Sequence, residues 1–242
     1  MKRIVVFIVV VIVCSCNQNN SAKQDAKDST GVAIIPESNI IIHHDSVIND
    51  SNKLIIPPRT GQKKQILLDS THSNTYNRLL LDVSEKILTA IKTKNFSQLS
   101  SYIHSKLGVR FSPYAYIDIK NGQLLSAHQL INYGKSGKRL KWGYYDGKEE
   151  IIKMNISKYF DKFVYDKDFL NAEKKSVNKF LGGGNSLNNL KKIFPDSDFT
   201  EFYFSGFEPK YGGMDWRTLR LVFKTENNKP YLIAIVHDEW TI

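Results

Sequence analysis

The clearest hydrophobic pattern lies near the C-terminus. Residues 216–223 and 231–240 read as two strands joined by a polar turn over 224–230. In the second strand Tyr231, Ile233 and Ile235 form one alternating row, and Leu232, Ala234 and Val236 form the other. A strand with two apolar rows is buried on both sides and belongs inside a sheet. It runs into His237, Asp238 and Glu239, so a charged side chain must continue each buried row. Upstream, Tyr76, Leu80, Val83, Ile87 and Ile91 recur at helical spacing, and Leu79, Leu81 and Leu88 widen the stripe. Asn74 or Thr75 can cap that helix. A break at Lys94 and Asn95 precedes a shorter helix over 96–104. Residues 108–118 read as a strand, with Val109, Phe111, Ala115 and Ile117 on one face and Arg110, Ser112, Tyr114, Tyr116 and Asp118 on the other. Pro113 cannot donate to a ladder, which predicts a bulge or an edge there. Further helices are predicted over 126–132, 157–163 and 186–193, and strands over 141–147 and 200–205. Helices come first, strands mostly last, and no βαβ alternation is present. The pattern predicts an α+β fold with a largely antiparallel sheet.

The N-terminus follows different rules. Met1, Lys2 and Arg3 precede an apolar run over 4–13 that is too short to span a membrane comfortably. Val13-Cys-Ser-Cys16 then resembles a bacterial lipobox, with Val13 at −3, Ser15 at −1 and Cys16 as the lipid acceptor. Cys14 fits that role less well, because Val13 would then sit at −1. A secretory signal cleaved nearby, or a plain membrane anchor, is the alternative. With Cys16 lipidated and Cys14 lost with the signal, the mature chain offers no free thiol, no disulfide and no thiolate metal site. The expected location is the bacterial cell envelope, held to a membrane through the lipid, with inner and outer membrane both open.

From 17 to 71 the composition turns to Asn, Ser, Lys and Asp, broken by Pro36, Pro57 and Pro58. That reads as a flexible tether with a reach of roughly 40 Å. Short apolar runs at 40–42 and 54–56 are candidates to dock on the domain as extended pieces. His43, His44 and Asp45 read as a solvated polar patch in preference to a metal site. Loss of Lys2 and Arg3 takes the formal charge of +10 to +8. The tether's charges balance, so the excess belongs to a single domain over 72–242. Its lysines are scattered, which favours a solvated surface over a dedicated anionic partner.

Several short stretches carry a family resemblance. Gly108-Val-Arg-Phe-Ser-Pro-Tyr, Trp142-Gly-Tyr-Tyr-Asp-Gly, Lys162-Phe-Val-Tyr-Asp, Gly184-Asn-Ser-Leu-Asn-Asn-Leu, Gly213-Met-Asp-Trp-Arg and Val236-His-Asp-Glu-Trp-Thr-Ile resemble a set found in an uncharacterised family of secreted or lipid-anchored bacterial proteins. The resemblance covers about 75–242 and implies one domain, but no activity. A long amphipathic helix, a kink and a short helix also resemble the start of nuclear-transport-factor-2-like domains. That architecture implies N-terminal helices packed on a curved sheet, an NTF2-like or cystatin-like roll, and carries no function.

The motifs for familiar chemistries do not fit. Tyr133-Gly-Lys-Ser-Gly-Lys138 lacks the first glycine of a phosphate loop and the apolar strand before it. The glycines at 182–184 read as a flexible turn. No Gly-x-Ser-x-Gly elbow or His-Glu-x-x-His zinc helix is present, and with Cys14 removed and Cys16 acylated no cysteine nucleophile remains. Neither a metal nor a cofactor is predicted. Lys135, Lys138, Arg139 and Lys141 lie beside Trp142, Tyr144 and Tyr145 and could grip an anionic envelope polymer. Export argues against nucleic acid, and a solvated loop beside a core strand is the simpler account.

What remains is one constellation. Arg110, Tyr114 and Asp118 come from the first strand. Asp215, Trp216 and Arg217 enter the hairpin, and His237, Asp238, Glu239 and Trp240 leave it. These residues allow three readings. The first is a structural network in which arginines neutralise buried acids. The second is a cavity binding a small ligand or a protein partner. The third is a cavity enzyme, a hydrolase or isomerase, using His237 with Asp238 or Asp118. Homodimerisation through the outer sheet face would also explain the two-sided apolar hairpin.

Overall fold

The computed structural model describes residues 62–241. Cys16, the 40–42 and 54–56 runs and the His43-His44-Asp45 patch lie outside the described residues. In chain order the elements are α1 (Gln62–Lys92), α2 (Phe96–Ser100), β1 (Val109–Ser112), β2 (Leu124–Leu125), α3 (Ala127–Ser136), β3 (Arg139–Tyr144), β4 (Ile151–Asn155), α4 (Ile156–Phe163), β5 (Lys174–Val177), α5 (Leu190–Ile193), β6 (Asp198–Phe204), β7 (Arg217–Glu226) and β8 (Lys229–Glu239). The strands pair in the order β2-β1-β8-β7-β6-β5, with β3 and β4 as a separate hairpin. Every pairing is antiparallel except β1 with β8. The fold is therefore α+β around a mixed, mostly antiparallel sheet, with β8 and β7 in its interior.

Helix α1 starts at Gln62, inside the stretch read as tether. Gln, Lys and Leu after Pro57 and Pro58 are good helix formers without an apolar stripe, so periodicity alone passes them over. Asn74 and Thr75 consequently sit within the helix and do not cap it. The 3.6-residue stripe is as expected: Leu80, Ile87, Leu88 and Ile91 are buried. The break falls at Lys94, whose φ of 50° turns the chain, and Asn95 caps α2 by accepting from the Gln98 N–H. Ser126 and Gln129 form a reciprocal capping box at the start of α3, and Gly137 ends it in the left-handed conformation. The Gly-Lys-Ser-Gly-Lys stretch thus closes a helix at its C-terminus. A helix C-terminus is the negative end of the dipole, unsuited to a phosphate.

Two apolar layers enclose the sheet. One face packs under α1 to α4 and the β3–β4 hairpin, through Phe202, Leu219, Leu221, Phe223, Leu232 and Ile235. The other carries Phe199, Val222, Ile233, Ala234 and Val236, covered by Ile117, Leu190, Ile193 and Phe194. The chain's own α5 region thus covers the apolar outer row. The two rows of β8 differ from strict alternation. Val222 pairs with Ala234 but Phe223 pairs with Leu232, which leaves Ile233 as the extra residue of a bulge. Leu232 and Ile235 therefore share the helix-covered face, while Ile233 and Ala234 both point away. Pro113 marks the end of β1 at Ser112, so the predicted strand stops six residues short of Asp118. β2, β4 and β5, which have no counterpart among the predicted strands, are short: β2 has two residues and β5 four, and the apolar row of β4 is only Ile152 and Met154.

Candidate functional site

The end of the β7–β8 hairpin carries one charged cluster on each face. On the helix-covered face, His237 is fully buried. Its Nδ1 lies 3.1 Å from the carbonyl oxygen of Pro113, and its Nε2 lies 3.1 Å from Oδ1 of Asp166. The Pro113 carbonyl can only accept, so Nδ1 donates to it; an ionised Asp166 accepts from Nε2, and the two acceptors together favour the imidazolium. Burial opposes that charge. The Asp166 hydrogen bond and charge, the charge of Glu239 and the Pro113 carbonyl outweigh it and raise the pKa above the ordinary histidine value. Arg217 completes the cluster, with Nε 2.9 Å from Asp166 and Nη2 2.9 Å from Glu239. Burial pushes Asp166 up, but its bond to His237 and the charges of His237 and Arg217 pull it below the usual carboxylate range. Two cations face two anions, so the cluster is neutral.

On the opposite face Arg220 is fully buried between two acids. Its Nε donates to Glu201 at 2.9 Å, its Nη1 to Asp238 at 3.1 Å, and its Nη2 to the carbonyl of Gly182 at 2.9 Å. Glu201 also accepts the N–H groups of Leu181 and Gly182. Here two acids share one cation. Burial pushes the pKa of Asp238 up, as does the charge of Glu201, against the pull of Arg220. Asp238 Oδ1 and Thr218 Oγ1, on paired residues, have no hydrogen-bond partner among the described residues. Alternation thus separates His237 from Asp238, as the two buried rows require, and they do not form one catalytic pair.

The other predicted residues are dispersed. Arg110 lies beside a groove of about 280 Å³ with Leu124, Phe194 and Ile233, its Nη1 3.4 Å from the Ile119 carbonyl. Asp118 organises its own turn, accepting from the N–H groups of Lys120 and Asn121 and from the Asn121 amide. Asp215 accepts the N–H groups of Phe207 and Glu208. Trp216 is buried beneath Gly182 and Gly184, and Trp240 is partly exposed. Tyr114 packs against Phe163 and faces a cleft of about 160 Å³. Its hydroxyl is pushed up to about 12, first by burial and then by the charges of Glu239 and Asp146, against donation from the Asp146 N–H.

That cleft lies between the loop after β1 and the β3 strand with its turn. Tyr114, Tyr116, Trp142, Tyr144 and Tyr145 line it with Asp118 and Asp146. His237 is not among the residues lining it. Of the basic side chains in and before β3, three are engaged with different neighbours. Lys138 lies over Tyr133, Arg139 donates to the Lys153 carbonyl, and Lys141 lies over Tyr144.

Asp166, Glu201 and Arg220 are the members that sequence reasoning missed. Arg220 and Glu201 each interrupt an apolar strand, and a charge in a buried row requires an opposite charge in the next strand. Asp166 ends the Lys162-Phe-Val-Tyr-Asp stretch, and its only signal was that motif. Among the described residues no group of three or more His, Cys, Asp or Glu is placed to hold a metal. Comparison of the chain with family models, with curated proteins and with solved structures found no match.

Proposed function

We propose that the protein is a lipid-anchored cell-envelope protein whose α+β domain binds a small ligand without catalysing a reaction, and that the site is the tyrosine-lined cleft. The observation that carries this reading is the state of His237. A general base needs a free lone pair within reach of its substrate. Here both ring nitrogens are committed as donors to acceptors in the core, and the ring has no exposed surface. The arginine–carboxylate pairs around it fit the structural reading of the constellation. The cleft combines apolar ring faces with a few polar groups, the usual composition of a ligand site. The finer architecture, an NTF2-like or cystatin-like roll, belongs to this proposal, supported by α1 packing on β5 and β6.

The test is a binding map by NMR on the full chain in detergent micelles, with phenol, methyl glucoside, choline and acetate as probes. At least one probe is expected to shift the amides of Gly143, Asp146 and Gly147. Shifts confined to the surroundings of Asp166 and His237, or no shift at all, would overturn the reading.

A further inference from the structure

The cleft is not a closed pocket. A wider groove of about 510 Å³, lined by Ile119, Leu187 and Asn189 among others, shares Tyr116 and Asp118 with it. Tyr116 is 53% exposed and stands on the ridge between the two, while Leu187, in the groove, is 70% exposed. An aromatic ring and an apolar side chain held out in water along one continuous depression suit a ligand longer than a single ring.

Charge narrows the ligand class. Lys141 Nζ sits 4.3 Å from the centroid of the Tyr144 ring and donates to its hydroxyl. Lys162 Nζ sits 4.5 Å from the Tyr145 ring and donates to its hydroxyl in turn. Two tyrosines of the cleft therefore already hold ammonium groups against their rings, and a cationic ligand would meet like charge. An anionic ligand would meet Asp118 and Asp146 on the cleft wall, with Glu239 close enough to act on Tyr114. A neutral ring bearing hydroxyl groups avoids both conflicts. Its C–H face can lie on a tyrosine, and its hydroxyls can donate to Asp118 and Asp146, whose carboxylates keep acceptor sites beyond the bonds they hold from Lys120, Asn121, Ser186 and Thr241. Gly143 leaves room for that approach, since a Cβ built there meets no atom within 4 Å.

Resting on the binding reading above, we infer that the cleft and groove together bind a neutral oligosaccharide, one sugar ring against Tyr114 and the face of Tyr144 opposite Lys141, and the next across Tyr116. The test uses the full chain in detergent on an array of neutral and acidic oligosaccharides, followed by calorimetric titration of any neutral chain retained. The expected result is retention of a neutral oligosaccharide, with its monosaccharide about tenfold weaker or more. Tyr116→Ala, at an exposed position, should weaken the oligosaccharide about tenfold with the melting temperature unchanged. Tyr144→Ala should do likewise. Retention of acidic chains alone, no neutral chain retained, or affinity unmoved by both substitutions would overturn the inference. If phenol maps to the cleft but no neutral oligosaccharide binds, the ligand class fails while the binding reading stands. If neither binds, both fail.

Discussion

Titration of His237 affects the folded state directly, because the ring is charged inside the core. A histidine whose folded pKa lies above its unfolded value contributes stability that is complete below the unfolded pKa, ~6.5, and is lost as pH rises through the folded value. Asp166, with its pKa lowered, behaves in the opposite sense. Its contribution is complete above ~3.8 and is lost as pH falls through the folded value. The pair is therefore strongest between about pH 4 and 6.5. Asp238 has a raised pKa, so stability also falls as pH rises from ~3.8 toward its folded value, over which the unfolded chain ionises first. The protein should melt highest in mildly acid buffer and lose stability toward pH 8. His237→Gln removes the cation and leaves Asp166 to Arg217 alone. It should cost on the order of 3 kcal/mol near pH 5 and less near pH 8. Thermal melts across pH 4–9 for both proteins check this. Identical slopes in the two would show that the imidazolium does not hold the hairpin end.

The stretch of glycines over 182–184 behaves as a strap and not as a free turn. Gly182 presents its N–H to Glu201 and its carbonyl to Arg220, which ties the strap to the buried triad on β6, β7 and β8. A Cβ on Gly182 would lie 2.8 Å from the Tyr203 ring, and one on Gly184 would lie 2.9 Å from the Trp216 ring. Trp216 is buried and Tyr203 half-buried, so either the strap lifts or the rings shift. Gly182→Ala should destabilise by about 1–3 kcal/mol and increase amide exchange at Leu181 and Gly182. An unchanged melting temperature would mean that the strap is not held by the triad. This element also shows where the sequence stops being legible. The two-sided hairpin, the α1 stripe and the opposite directions of His237 and Asp238 all follow from period alone. The partners do not. Glu201 reaches Arg220 only through the β6–β7 register, and Asp166 reaches His237 across 71 residues of chain. The bulge at Ile233 changes the row of every residue before it, and no single residue type announces it. The cleft was half visible. Tyr114, Asp118, Trp142, Tyr144 and Tyr145 each stand out in the sequence, but in two different groups, because the turn that brings β3 to the end of β1 is a tertiary fact.

For the whole molecule, the proposed binding role depends on where the domain is held. About 45 residues separate Cys16 from the first residue of α1, fewer than composition alone suggested. On the proposed reading of that stretch as a tether, its length corresponds to a reach of roughly 35–40 Å. No helix among the described residues is long and apolar enough to cross a membrane. The signal's own apolar run would leave with cleavage, and the lipid on Cys16 would then carry the attachment. A single acyl chain binds a membrane weakly, and firm anchoring needs more than one chain or a second, basic contact. A lipidated N-terminal cysteine with several chains meets that need, whereas scattered surface lysines do not. Cys16→Ala should therefore move the protein from the membrane pellet to the soluble fraction of the envelope, or leave an uncleaved signal that alkaline carbonate washing can distinguish. Cys14→Ala should leave the distribution unchanged. Retention of a cleaved Cys16→Ala protein on washed membranes would mean that the domain carries its own membrane contact, and the basic residues flanking β3 would be the first to neutralise.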